Sequence, residues 1–264
     1  MRKSNKKLIY QIANILIPIL LLIILSILSI GQGDYTDIFQ STGEKSLIDP
    51  AGFTFAIWGP IFIFLAIFLL YQARDLLKSS ESKIEMPFIE EISVFFILST
   101  IMAAGWYIFW IYQIIWLSTF SMILYLVSLL IGYIRLDINR KDRPLKEQIA
   151  VVIPWSMYTA WITAATIVSI TTFLESINFN QPQLILSDTY WAILVLLVTL
   201  IIYVAVLLTR NDYIYGGVGI WVLLGILFER LSAPILNVEV IIVCIIGMIV
   251  LALGILYKFL MKTL

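Results

Sequence analysis

The chain has 264 residues, 61% hydrophobic and 13% charged, with a mean hydropathy of +1.01. No water-soluble globular domain carries that balance, so the composition points to an integral membrane protein. Seventeen Lys and Arg offset seventeen Asp and Glu, so net charge offers no basis for nucleic acid binding, and the lone Cys244 excludes an intramolecular disulfide or a multi-cysteine metal cluster.

Crossing a hydrocarbon layer of about 30 Å takes about 20 apolar residues as helix, and eight segments qualify. Leu8 to Ser29 follows a basic head, as a secretory signal would, but its apolar body of about twenty-three residues exceeds a signal core of about 7 to 15 and reads as a retained first helix. Ala51 to Tyr71 comes second and opens with "PAGFTFAIWGPIF", where Pro50 is expected to start the helix and Pro60 to loosen its next turn. Ile92 to Ile111 and Ile114 to Tyr133 follow, parted only by a turn at Tyr112 and Gln113. Then come Ala150 to Phe173, Trp191 to Leu208, the short, glycine-rich Tyr213 to Phe228, and Val238 to Tyr257.

Charge placement tests this order independently, because Lys and Arg in short loops face the cytoplasm. With the N-terminus inside, fifteen basic residues fall on the inner side and only Lys45 and Arg230 outside. A missed helix would invert every later loop, so the expected fold is all-α: a polytopic membrane bundle of about eight helices with both termini cytoplasmic. The outer loop Gln32 to Asp49 is polar and acidic, and the inner loop "INRKDRPLKEQ" is a basic topology determinant. No internal repeat suggests a duplicated transporter.

The acids lie in loops or at helix ends, and no Lys or Arg lies at the centre of a span. That argues against a proton-driven pump or a charged ion pathway. The chain lacks histidine, the usual general base and the commonest metal and proximal haem ligand. No span pairs a nucleophile with a base, so catalytic residues and metal sites are not expected, and the protein reads as a non-enzyme.

The spans offer aromatic rings instead. Phe55, Trp58 and Phe62 are offset by three and seven, Trp106 and Trp110 by four, and Pro154, Tyr158, Trp161 and Ala165 by four, seven and eleven. Each set marks one face of a helix. Such stripes serve either helix packing and interfacial belts or the wall of a pocket for a flat apolar ligand.

These stretches resemble the TspO/MBR family, the tryptophan-rich sensory or translocator proteins. Pro50, Trp58, Gly59, Ile61 and Phe62 hold the places of that family's second-helix motif, the last two conservatively changed. Tyr158, Trp161, Ala165 and Thr166 reproduce its fifth-helix pattern, and Trp106 and Trp110 match the tryptophans near the end of its third helix. The resemblance carries residues 8 to 175, which implies a TspO-like five-helix core at 1–175 and three additional helices at 176–264, as in the longer members. It departs in the first outer loop, where "EKSLIDP" has no tryptophan, and after the fifth helix, where "SITTFLES" lacks the basic residue of a cholesterol-recognition pattern.

The resemblance implies a multi-pass protein of the cell membrane that binds hydrophobic planar molecules, porphyrin- or sterol-like, with a transport, sensory or stress-regulatory role. No cofactor is expected beyond a porphyrin or haem-like ligand. Phe55, Trp58, Phe62, Trp106, Trp110, Tyr158 and Trp161 would contact it, in a pocket beneath the Gln32 to Asp49 loop. The expected partners are the lipid bilayer and that ligand, without nucleic acid, and a homodimer stays open. Two alternatives stand beside this reading. One is a transporter of a small apolar solute, with glycines 216, 217, 219 and 225 allowing close packing or bending. The other is a scaffold or sensor partner without a ligand.

Overall fold

A computed structural model describes residues 2–31, 46–79, 82–92, 94–179 and 186–263, with the side chains of residues 2–5 and 262–263 excepted. Most of the Gln32 to Asp49 loop therefore lies outside the described residues. The described chain is helical, with no strand among the described residues. Among the described residues, seven helices are long and apolar enough to cross a membrane. This is a multi-pass membrane protein.

The helices are α1 (Arg2–Leu28), α2 (Trp58–Ala73), α3 (Pro87–Ile92), α4 (Phe95–Ile111), α5 (Ile115–Arg135), α6 (Ile153–Ser176), α7 (Asp188–Arg210), α8 (Tyr213–Ser232) and α9 (Val238–Thr263). The expected third span is shorter than read, because the short α3 ends at Ile92 and α4 begins at Phe95. At 17 residues α4 extends about 25 Å. It is a shorter apolar helix that folds back on the full-length α5, so among the described residues seven full-length spans and this helix stand where eight spans were expected.

The second span also differs at its start. Gly52–Ile57 winds as a 3-10 segment, and the α-helix begins only at Trp58. Pro50 therefore does not open the helix, and Pro60 falls in the first turn, where a missing N–H costs nothing. The expected loosening of the next turn does not arise.

Two compact units divide the chain, Met1–Asp34 with Trp58–Thr159, and Tyr35–Ile57 with Ala160–Leu264. In the first unit, α4 and α5 form a tight hairpin. Gln113 takes the left-handed conformation (φ +57°), its N–H donates to the Trp110 carbonyl at 2.9 Å, and the Ile114 N–H donates to the Phe109 carbonyl at 2.8 Å. Small residues let the two helices close: Ser118 Oγ donates to the Trp106 carbonyl, and a Cβ on Gly105 would stand 3.2 Å from Ser121 Oγ. Gly132 of α5 lies against the buried ring of Trp155. α1 shows its apolar side chains outward, Ile19, Leu20, Leu22 and Ile23 among them, as a lipid-facing helix does.

Ahead of α6, Gln148–Val152 opens into a π turn. Pro154 follows, and with no N–H to give the carbonyl of Ala150 it favours that local widening. α6 is buried along most of its length although it carries Ser156, Thr159, Thr163, Thr166 and Ser169, and its span is the least apolar of the seven.

In the second unit, α7, α8 and α9 pack on one another through glycines. A Cβ on Gly219 would come within 2.6 Å of the Tyr203 ring, one on Gly247 within 2.8 Å of Leu223, and one on Gly254 within 2.9 Å of Leu207. Asn211 ends α7 in the left-handed conformation, and the Asp212 carboxylate caps α8 by accepting the Tyr215 N–H at 3.0 Å.

Candidate functional site

In the first unit, the opening of α2 brings Trp58 and Phe62 together. One turn apart, they stack at 5.3 Å between ring centroids with 21° between planes. Trp58 also meets Tyr158 of α6 edge-on at 6.3 Å. Tyr158 in turn takes a hydrogen bond from the Tyr125 hydroxyl, and the two rings stand 5.6 Å apart. Tyr125 and Tyr158 are buried, Trp58 is half-buried, and Phe62 is 53% exposed. The cluster therefore grades from a hydrogen-bonded interior to an open ring face.

Trp106 and Trp110 are half-buried on α4. The Trp106 ring is edge-on to Tyr107 at 6.5 Å, and both tryptophan carbonyls take part in the hairpin, accepting from Ser118 and Gln113.

Phe55 and Trp161 lie in the second unit, where their rings meet edge-on at 5.8 Å. Trp161 is 3% exposed. Phe55 belongs to the 3-10 segment rather than to α2, so it does not continue the Trp58 and Phe62 stripe as one α-helical face. The segment is anchored to α8 by two hydrogen bonds and two ring contacts. The Ala51 N–H donates to the Gly225 carbonyl at 3.0 Å, Trp221 Nε1–H donates to the Thr54 carbonyl at 2.8 Å, and Phe53 sits edge-on to Trp221 and Phe228 at 5.6 Å each. Gly225 permits this approach, since a Cβ there would lie 2.0 Å from Thr54 Oγ1.

Hydropathy conceals a polar cluster in the first unit. Gln11 and Asn14 of α1 and Gln72 and Asp75 at the end of α2 are all within 1% of full burial. The Asp75 carboxylate accepts from Lys7 Nζ at 2.6 Å, Gln11 Nε2 at 2.8 Å and the Ile84 N–H at 2.9 Å. Asn14 Nδ2 donates to Gln72 Oε1 at 3.0 Å. Burial raises the Asp75 pKa, but the hydrogen bonds from Lys7, Gln11 and Ile84 and the Lys7 charge outweigh it, leaving the carboxyl below its ordinary value. The signal was readable: two polar pairs, each three residues apart, within or beside apolar helices. Chemically the cluster is a latch holding α1 to the end of α2.

A second polar group sits outside the spans. Glu91 of α3 binds Lys141 Nζ at 2.7 Å and Arg143 Nη2 at 2.8 Å, and Arg143 also pairs with Glu147. Burial pushes the Glu91 pKa up, and the two cations bring it below the ordinary value. Among the described residues no cluster of three or more His, Cys, Asp or Glu is placed to hold a metal ion.

Comparison with protein families gives a match to TSPO-like protein over residues 8–257, a range that takes in α7, α8 and most of α9 as well as the helices before them. Comparisons with curated proteins and with solved structures give no match. The family match covers nearly the whole chain and agrees with its helical, membrane-crossing architecture, and the chain belongs to the TSPO-like protein family.

Proposed function

We propose that this protein binds hydrophobic planar small molecules, porphyrin- or sterol-like, in the cell membrane, and serves transport, sensing or stress regulation without catalysing a reaction. The observation that carries the reading is the Trp58 and Phe62 stack. Two parallel rings, one half-buried and one half-exposed, present an aromatic face to which a flat ligand dissolved in lipid can add. Tyr158 and Tyr125 support the inner edge of that stack with a buried hydrogen bond. Trp106 and Trp110, half-buried in the same unit, are assigned as further contacts, and Phe55 with Trp161 as a second aromatic pair. Binding by this route needs ring stacking and no axial ligand, in keeping with a chain that has no histidine.

The α8 glycines lend less support to a bending helix. Gly216, Gly219 and Gly225 all stand against neighbouring side chains, and α8 runs unbroken from Tyr213 to Ser232. These three support close packing, whereas a Cβ on Gly217 would meet nothing within 4 Å.

The test is quenching of tryptophan fluorescence by protoporphyrin IX in nanodiscs, comparing wild type with Trp58→Phe, Phe62→Ala and Trp161→Phe. Saturable quenching weakened by Phe62→Ala, which removes no tryptophan, supports the reading. Linear, non-saturating quenching in every variant sinks it.

A further inference from the structure

Near the end of α8 stands an arginine whose buried Nε finds no hydrogen-bond partner among the described residues. Arg230 is only 5% exposed, two residues before the helix ends at Ser232. The carboxylate beside it, Glu229 Oε1, stands 3.9 Å from Nη2, beyond hydrogen-bond distance. Ile226, Val240 and Cys244, all in the same unit, are 2% exposed or less, and Cys244 lies within reach of the Arg230 charge. Burying a guanidinium costs free energy unless a counter-charge and acceptors are supplied.

The connection beside it is unusual for one facing water. Leu231, Ile235, Leu236 and Val238 are all more than half exposed, so the α8 to α9 turn is an apolar rim, suited to the depth where lipid headgroups begin. Two residues from the helix end, Arg230 lies about 3 Å inside that level. It is thus a buried guanidinium with one carboxylate at ion-pair but not hydrogen-bond distance, behind a surface that accepts an apolar chain.

We propose that Arg230 is the receptor for the anionic head of an amphiphile, a phosphate or carboxylate borne on an apolar body. The guanidinium fork would take two oxygens of that head, and the apolar rim would take the chain. About 6% of the Arg230 side chain remains accessible. A membrane phospholipid and a free amphiphile share this chemistry. The proposal is independent of the aromatic stack.

The test uses the full chain in nanodiscs as wild type, R230Q and R230K, with thermal unfolding followed by intrinsic fluorescence. The probes are decyl phosphate, inorganic phosphate, and phosphatidylcholine discs with or without phosphatidylglycerol. A rise in the wild-type midpoint with decyl phosphate, with an apparent affinity about tenfold or more weaker in R230Q, supports the site and assigns it to a free amphiphile. The same dependence on Arg230 for phosphatidylglycerol assigns it to lipid, and for inorganic phosphate alone to an anion without a chain, which overturns the amphiphile. Should R230Q fail to fold, R230K decides: a weakened response supports the fork, and an unchanged one overturns it. No shift in the wild type with any probe, or equal shifts in wild type and R230Q, overturns the proposal.

Discussion

The contact between Gly225 and the 3-10 segment gives the sharpest prediction, Gly225→Ala. An added Cβ would lie 2.0 Å from Thr54 Oγ1, 2.7 Å from its Cγ2 and 2.9 Å from its Cβ. Rotating the threonine side chain moves the first two atoms but not the third, and Thr54 is fully buried, so the segment itself must lift. Overpacking of this kind costs about 1 to 3 kcal/mol. Lifting also stretches the Ala51 to Gly225 and Trp221 to Thr54 hydrogen bonds, each worth about 1 kcal/mol net. The expected loss is therefore about 3 to 5 kcal/mol. SDS-induced unfolding in mixed micelles measures it, and a shift in Trp221 emission locates it. Thr54→Gly removes every clashing atom, so the double variant should recover at least about 1.5 kcal/mol of the loss despite the added backbone freedom. Gly225→Ala within about 0.5 kcal/mol of the wild type would refute the argument, since that is the range of changes that touch nothing.

Other predictions follow the same logic. Gly132→Ala places a Cβ 2.2 Å from the ring of the buried Trp155, and should cost about 3 kcal/mol in the same unfolding assay, with part of that loss restored by Trp155→Leu. Tyr125→Phe strips the buried Tyr158 hydroxyl of its donor and should cost about 1 to 3 kcal/mol, whereas Tyr125→Phe with Tyr158→Phe should cost less than the sum of the two single changes. Asp75→Asn should cost about 2 kcal/mol at neutral pH, less than for a fully buried pair because Lys7 keeps 16% of its side chain in solvent. The Asp75 pKa is lowered from 3.8, so its contribution is full above about pH 4 and is lost as the pH falls through the lowered value. Acid titration of stability should therefore show a steeper low-pH limb in the wild type than in Asp75→Asn.

Much of the architecture was legible in the residues. Long apolar runs must be helices in lipid, because unsatisfied backbone groups are intolerable there, so the spans follow from composition alone. The turn at Tyr112 and Gln113 was visible as a polar break between two apolar runs, and the structure places a left-handed residue there. The spacing of Trp58 and Phe62 matched the observed stack. Phe55 did not follow its spacing, because the chain winds as a 3-10 segment until Ile57. Hydropathy cannot register that change, since both windings are equally apolar.

The sequence by itself determined that this is a polytopic helical membrane protein, rich in aromatic stripes and poor in charge within its spans. Only the tertiary structure decided which faces meet. Gly225 against Thr54, Gly132 against Trp155, the Asp75 latch and the burial of Arg230 all depend on partners distant in the chain. The physical reason lies in the solvent. In water, an apolar face marks the side of a helix that turns inward, but in lipid every face is apolar and that mark is lost. Facing is then set by which small residues let backbones approach and which polar groups find partners, and those are properties of pairs of helices rather than of any one stretch of sequence.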